Sequence, residues 1–105
     1  MQIDQQIKIV KDDVIRYFNE YQTHEIARRA LKLRRLDELE QAHAIHIATS
    51  ILCTKWEIRP GGSFVQAIVD NDLQGAIFRA DNINADLLHF YCAVLVNIRK
   101  PDELK

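Results

Sequence analysis

Carboxylates three residues from histidines are where chemistry could begin in this chain. Glu40, His43 and His46 stand three apart, so on a helix they share one face, and Asp86 with His89 repeats the carboxylate-x-x-His spacing. Two such pairs on facing helices make half of a ferritin-like dimetal site, which needs a carboxylate from each of two further helices. Asp12, Asp13 or Glu20 could supply one, but Asp12 and Asp13 fall on the polar side of their segment. Solvated or helix-packing histidines are therefore expected, with no metal and no cofactor. No GxSxG elbow, Walker loop or activated Cys/His pair accompanies them, and Pro60-Gly61-Gly62-Ser63 alone is too short to cradle a phosphate. The chain is read as non-enzymatic, with no catalytic residue. Cys53 and Cys92 sit among apolar neighbours without CxxC spacing or an adjacent basic group, and read as small core residues.

A second constellation is basic. Arg28, Arg29, Lys32, Arg34 and Arg35 place five positive charges in eight residues, followed at once by Asp37, Glu38 and Glu40. Such a run can contact phosphates or an acidic protein patch, or form a solvated helix face with Arg34 and Glu38 paired one turn apart. The whole chain carries 14 Lys and Arg against 15 Asp and Glu, a net charge of −1, so nucleic-acid binding is not favoured. Residues 60–98 hold one positive side chain, Arg79, against Asp70, Asp72, Asp81 and Asp86, which polarises the molecule.

The elements that must position these groups are helical. A chain of 105 residues, 48% hydrophobic, has one core to build, and 3 Gly with 2 Pro cannot supply the turns of a β-protein. Ile3, Ile7, Val10, Val14, Phe18 and Tyr21 step by fours and threes, which predicts a helix over 3–21. From Ile26 to Ile58 there is neither Gly nor Pro, which predicts one long helix and, with the first, a hairpin over residues 1–59. Along it Leu33, Leu36, Leu39, Ala42 and Ile45 recur every third residue, so the stripe winds. That helix either bends near 33–37 or touches different partners at its two ends.

Ile58-Arg59-Pro60-Gly61-Gly62-Ser63 is the clearest breakpoint, with Ser63 as the expected N-cap of a short helix Phe64 to Asp70. Asn71 or Asp72 can cap a helix Leu73 to Ala80, and Asp81 or Asn82 one from Ile83 to Ile98, whose apolar residues go nearly all round and predict burial on most sides. The reading is a single all-α domain over 1–105: a long helical hairpin followed by a compact subdomain of short helices over 60–100. The stripe Ile3, Ile7, Val10, Val14, Phe18 and the winding leucines offer more apolar surface than one neighbour covers, so a homodimer through the first helix and the first half of the long one is expected. No leader peptide and no stretch of roughly 18 apolar residues is present, so no membrane association and a cytoplasmic location are expected.

Residues 60–82, PGGSFVQAIVDNDLQGAIFRADN, carry a dense pattern: Pro60, Gly61, Phe64, Ala67, Ile68, Val69, Asn71, Asp72, Leu73, Ala76, Arg79, Ala80 and Asp81. It resembles a segment of small proteins of tailed phages, prophages and other mobile elements, in which a PPGxF start is followed by Asn-Asp-Leu and Arg-Ala-Asp. Residues 1–59 lie outside that pattern. The resemblance implies a bacterial-host setting. The expected function is a phage or mobile-element accessory protein that binds and modulates or inhibits a bacterial host protein, such as a defence-system component. The contact surface expected is Arg28, Arg29, Lys32, Arg34 and Arg35, with Asn71, Asp72, Arg79 and Asp81 as a second, polar cluster. The alternatives are a binder of a nucleotide or signalling molecule and a nucleic-acid-binding regulator.

Overall fold

The computed structural model describes residues 1–23 and 36–105. Among the described residues every regular element is helical: α1 (Ile3–Tyr21), α2 (Glu38–Lys55), α3 (Ser63–Val69), α4 (Leu73–Arg79), α5 (Asn82–Asp86), α6 (Leu88–Asn97) and a closing 3₁₀ turn (Asp102–Leu104). None of these helices is long and apolar enough to cross a membrane.

The apolar stripe of α1 buries Val10, Val14, Phe18 and Tyr21. Val10, Val14 and Phe18, expected to meet a second copy, join Tyr21 in the chain's own core. Ile7 near the start of α1 lines one cavity with His46 to Cys53 of α2, so the two helices pack antiparallel. The long second helix does not run unbroken from residue 26: Leu36 and Asp37 are non-helical, and Asp37 caps α2. Its carboxylate accepts from Glu40 N at 2.7 Å while Glu40 Oε1 accepts from Asp37 N at 3.1 Å, a reciprocal capping box. The leucine repeat thus spans a helix start, and of its described members Leu36 and Ile45 pack partly buried against the core while Leu39 and Ala42 are exposed. Leu39 is 83% exposed, and the buried face of α2 is instead Ala44, Ala48, Ile51 and Leu52. Two alanines on that face let a neighbouring backbone approach closely.

Helix α2 stops at Lys55, ahead of the proline. Glu57 takes a left-handed conformation (φ 60°), and Ile58 N and Glu57 N return to the carbonyls of Cys53 (2.8 Å) and Thr54 (3.2 Å). This is a Schellman ending with glutamate in the place glycine prefers. The chain then folds back on α2, with Gly61 N donating to Thr54 Oγ1 at 2.9 Å. A β-carbon on Gly61 would lie 2.6 Å from the Val65 side chain and 2.7 Å from Ser50 Oγ, so this return needs glycine. Gly62, not Ser63, occupies the cap position of α3.

Helix α3 contributes Phe64, Val65, Ala67 and Ile68 to the core and ends in a second Schellman turn. Asn71 is left-handed (φ 59°) and bonds Ile68 O at 3.2 Å, while Asp72 N reaches Ala67 O at 2.8 Å. The last helix is interrupted at Leu87, giving α5 and α6 where one helix was expected. Together they run parallel to α2: His43 meets Asn84 at one end and Lys55 Nζ donates to Leu95 O at the other. Phe90 of α6 meets Phe18 edge-on at 5.3 Å, and Tyr91 meets Phe64 at 5.9 Å, which closes the core. Helix α6 is not buried all round: His89, Cys92 and Val96 form a solvent-facing stripe, so Cys92 is an exposed free thiol while Cys53 is buried.

Candidate functional site

The two Asp residues of the expected polar cluster are helix caps. Asp72 Oδ1 accepts from Gly75 N at 2.9 Å, and Asp81 Oδ1 accepts from Asn84 N at 2.8 Å, each satisfying an orphan donor at a helix start. Asn71 terminates α3, and Arg79 closes α4 with its guanidinium laid over Gly75, where a β-carbon would collide with it and with the Asp72 carboxylate. All four side chains are exposed. Asn71 and Asp72 border a shallow cleft of about 60 Å³ between α3, α4 and α6, together with Leu73, Leu88 and Cys92; Arg79 and Asp81 stand away from it. The basic run Arg28, Arg29, Lys32, Arg34 and Arg35 lies outside the described residues.

Next to that cleft the fold exposes its apolar side chains. Helix α4 buries only Gly75 and Ala76 and turns Leu73 (65% exposed), Ile77 (52%) and Phe78 (87%) outward. Leu73 and Ile77 are one turn apart on one face, and Phe78 stands about 100° further round the helix from Ile77. Asp70, Asp72 and Asp81, all exposed, sit on the turns at its two ends. Sequence reasoning took these positions as part of a scaffold. The signal for an outward face was the pair Gly75-Ala76, the two small residues of α4, marking the side that touches α3.

The three histidines among the described residues, His43, His46 and His89, go separate ways. Asn84 is 6% exposed, and its Oδ1 accepts from Tyr91 OH at 2.7 Å and from His43 Nε2 at 3.0 Å. Tyr91 is buried, and loss of solvent raises its pKa, with the Asp81 charge adding to the rise. His89 Nδ1 meets Tyr21 OH at 2.6 Å; burial, and then Tyr17, push the Tyr21 hydroxyl up to about 12. Among the described residues no three metal-ligating side chains converge.

His46 faces a cavity of about 280 Å³ between the start of α1, the second half of α2 and the returning turn. Thr49, Ser50 and Cys53 continue its wall along α2, Ile7 lines it from α1, and Arg59 with Pro60 lines it from the turn. Thr49 Oγ1 donates to Ile45 O at 2.7 Å, so its proton is used within the helix. Burial pushes the Cys53 thiol up and the nearby Arg59 charge opposes that, which keeps the sulfur protonated and unreactive. No family model, curated protein or solved structure matches the chain.

Proposed function

We propose that this chain acts by docking on a bacterial host protein and altering it, without chemistry of its own, and that the outward face of α4 is a principal contact. The observation that carries the reading is Leu73, Ile77 and Phe78 standing exposed together on a seven-residue helix. Scattered apolar residues at a surface need no explanation, but three large ones on one short helix are an interaction surface. Aromatic and aliphatic anchors of this kind fill pockets at the centre of protein interfaces. Asp70, Asp72 and Asp81 at its ends favour a partner whose apolar pocket is rimmed by lysine or arginine. The shallow cleft beside Leu73 and Leu88 has room for one aliphatic side chain of that partner. The bacterial setting comes from the resemblance of residues 60–82, and the basic run Arg28 to Arg35 is the second contact surface of the same reading.

The test compares tagged wild-type chain with the double variant Ile77→Ser, Phe78→Ser in capture from bacterial lysate, with circular dichroism showing both folded. A protein held by the wild type and lost from the variant supports the reading. Equal capture by both overturns it for α4. Light scattering that shows a wild-type dimer abolished by the same variant would overturn it too, by assigning the face to a second copy. Charge reversal of Arg28, Arg29 and Arg35 to Glu is expected to weaken capture and make what remains less salt-sensitive.

A further inference from the structure

We propose that the cavity between α1, α2 and the turn after α2 binds a small organic anion, a carboxylate or phosphate ester on a compact apolar body. Its wall combines two features that local structure does not consume. The first is one guanidinium, that of Arg59, together with the His46 imidazole. Arg59 lines the cavity and His46 faces it, no carboxylate is among the lining residues, and neither side chain makes an ion pair or hydrogen bond among the described residues. Guanidinium groups recognise carboxylate and phosphate oxygens through paired donors, so an anion seated here meets the fork that suits it. The second is a donor with nothing to donate to: Ser50 Oγ bonds no described residue, whereas Thr49 and Thr54 each return their hydroxyls to a carbonyl one turn back, at 2.7 and 2.8 Å.

The geometry that brings these groups together is built, not incidental. His46, Ser50 and Cys53 stand at i, i+4 and i+7 of α2, which places them along one line on one face. The turn that carries Arg59 is pinned to the same helix at three points: Ile58 N and Arg59 N both donate to Cys53 O, at 2.8 and 3.2 Å, and Gly61 N donates to Thr54 Oγ1 at 2.9 Å. Arg59 is thus held at the mouth, while Ile7 and Pro60 supply apolar walls and the Cys53 side chain a buried one. A cavity of about 280 Å³ lies at the small end of ligand sites, which fits a single ring or short chain bearing one anionic group. The site is separate from α4, so its failure would leave the docking reading intact.

The experiment is a titration of the ¹⁵N-labelled full chain followed by amide shifts, with benzoate, phenyl phosphate and inorganic phosphate as anionic probes and benzyl alcohol as the neutral one. Saturable shifts with benzoate or phenyl phosphate at Ile7, His46, Ser50, Cys53 and Arg59, absent with benzyl alcohol, are expected. Saturation by inorganic phosphate as well would assign recognition to the charged group alone, and its absence would assign a share to the apolar walls; both keep the site. Arg59→Gln should weaken binding about tenfold or more, since a charged hydrogen-bonding partner is lost. Arg99→Gln, an exposed arginine outside the cavity lining, should leave it unchanged. His46→Gln gives a second exposed position that should weaken binding without unfolding. No saturable shift with either organic anion, shifts that Arg59→Gln does not weaken, or equal response to benzyl alcohol would overturn the proposal.

Discussion

Replacing Asn84 by Ala removes one acceptor shared by two elements. Its Oδ1 takes the Tyr91 hydroxyl proton at 2.7 Å and the His43 Nε2 proton at 3.0 Å, tying α5 to α6 and to α2. Each side-chain hydrogen bond contributes about 1 kcal/mol net, and a buried hydroxyl left without an acceptor costs about 1–3 kcal/mol more. Alanine recovers a few tenths of a kcal/mol in helix propensity. The expected loss is about 2.5–4.5 kcal/mol, a large share of the roughly 5–15 kcal/mol that holds a domain of this size folded. Tyr91→Phe alone should cost only about 1 kcal/mol, because Asn84 keeps His43 and no buried donor is stranded. In the double variant the shared bond is lost only once and the stranded hydroxyl is gone, so the two effects should fall short of additivity by about 2–4 kcal/mol. Urea unfolding followed by far-ultraviolet circular dichroism measures all three, with an unchanged slope showing that unfolding stays two-state. Additivity within about 0.3 kcal/mol would refute the shared acceptor.

Three further outcomes follow from the turns and the tyrosines. Glu57→Gly should raise stability by about 0.5–1 kcal/mol, because the left-handed residue loses its Cβ strain and gives back part of that as chain entropy; thermal melting reads it. Gly75→Ala should fail to deliver the roughly 1 kcal/mol that alanine normally adds within a helix, since its β-carbon displaces the Asp72 cap and the Arg79 guanidinium; a full gain in the same melts would show the cap to be dispensable. Stability against urea should fall as pH rises from about 10 towards 12. The unfolded tyrosines ionise from 10.0 upward while native Tyr21, pushed up to about 12, and native Tyr91, also raised, stay protonated, so alkali favours the unfolded chain. Tyr21→Phe should flatten that slope.

Helix α1 was legible in full: its 3,4-spaced stripe predicts 3–21, and the helix is Ile3–Tyr21. So were the caps Asp72 and Asp81, because a carboxylate before an apolar turn has one dominant local use. The long helix was misread because absence of Gly and Pro permits continuation without enforcing it. Asp37-Glu38-Leu39-Glu40 carried the competing signal, an acceptor with a glutamate three residues on, and that box won. The break at Leu87 had no local marker. It accompanies the bond from Tyr91 back to Asn84, seven residues earlier, a side-chain pairing that residue propensities and apolar spacing do not encode. The cavity was hidden for a similar reason. His46 and Cys53 share a helix face with Ser50, but Arg59 joins them only because Glu57 accepts a left-handed turn that folds the chain back.

The pattern in residues 60–81 can be divided by what the fold requires of each position. Phe64, Ala67, Ile68 and Ala76 are core, Val69 and Ala80 pack against it, and Gly61 is set by contact with Val65 and Ser50. Asn71 ends one helix while Asp72 and Asp81 begin the next two. Arg79 sits in the last turn of α4, where a cation complements the helix dipole. Pro60 lines the cavity beside the turn after α2, which leaves Leu73. It is the first residue of α4, it is mostly exposed, and a polar side chain would serve the helix start equally well. An exposed leucine that neither core nor cap demands, one turn from Ile77 and on the lip of a small cleft, is the position on which the proposed docking reading bears most directly. Leu73→Ser separates the two demands in one variant: stability should change by less than about 0.5 kcal/mol, as for other surface substitutions, while capture of the partner should fall with the loss of an apolar anchor. A large loss of stability would return Leu73 to the scaffold.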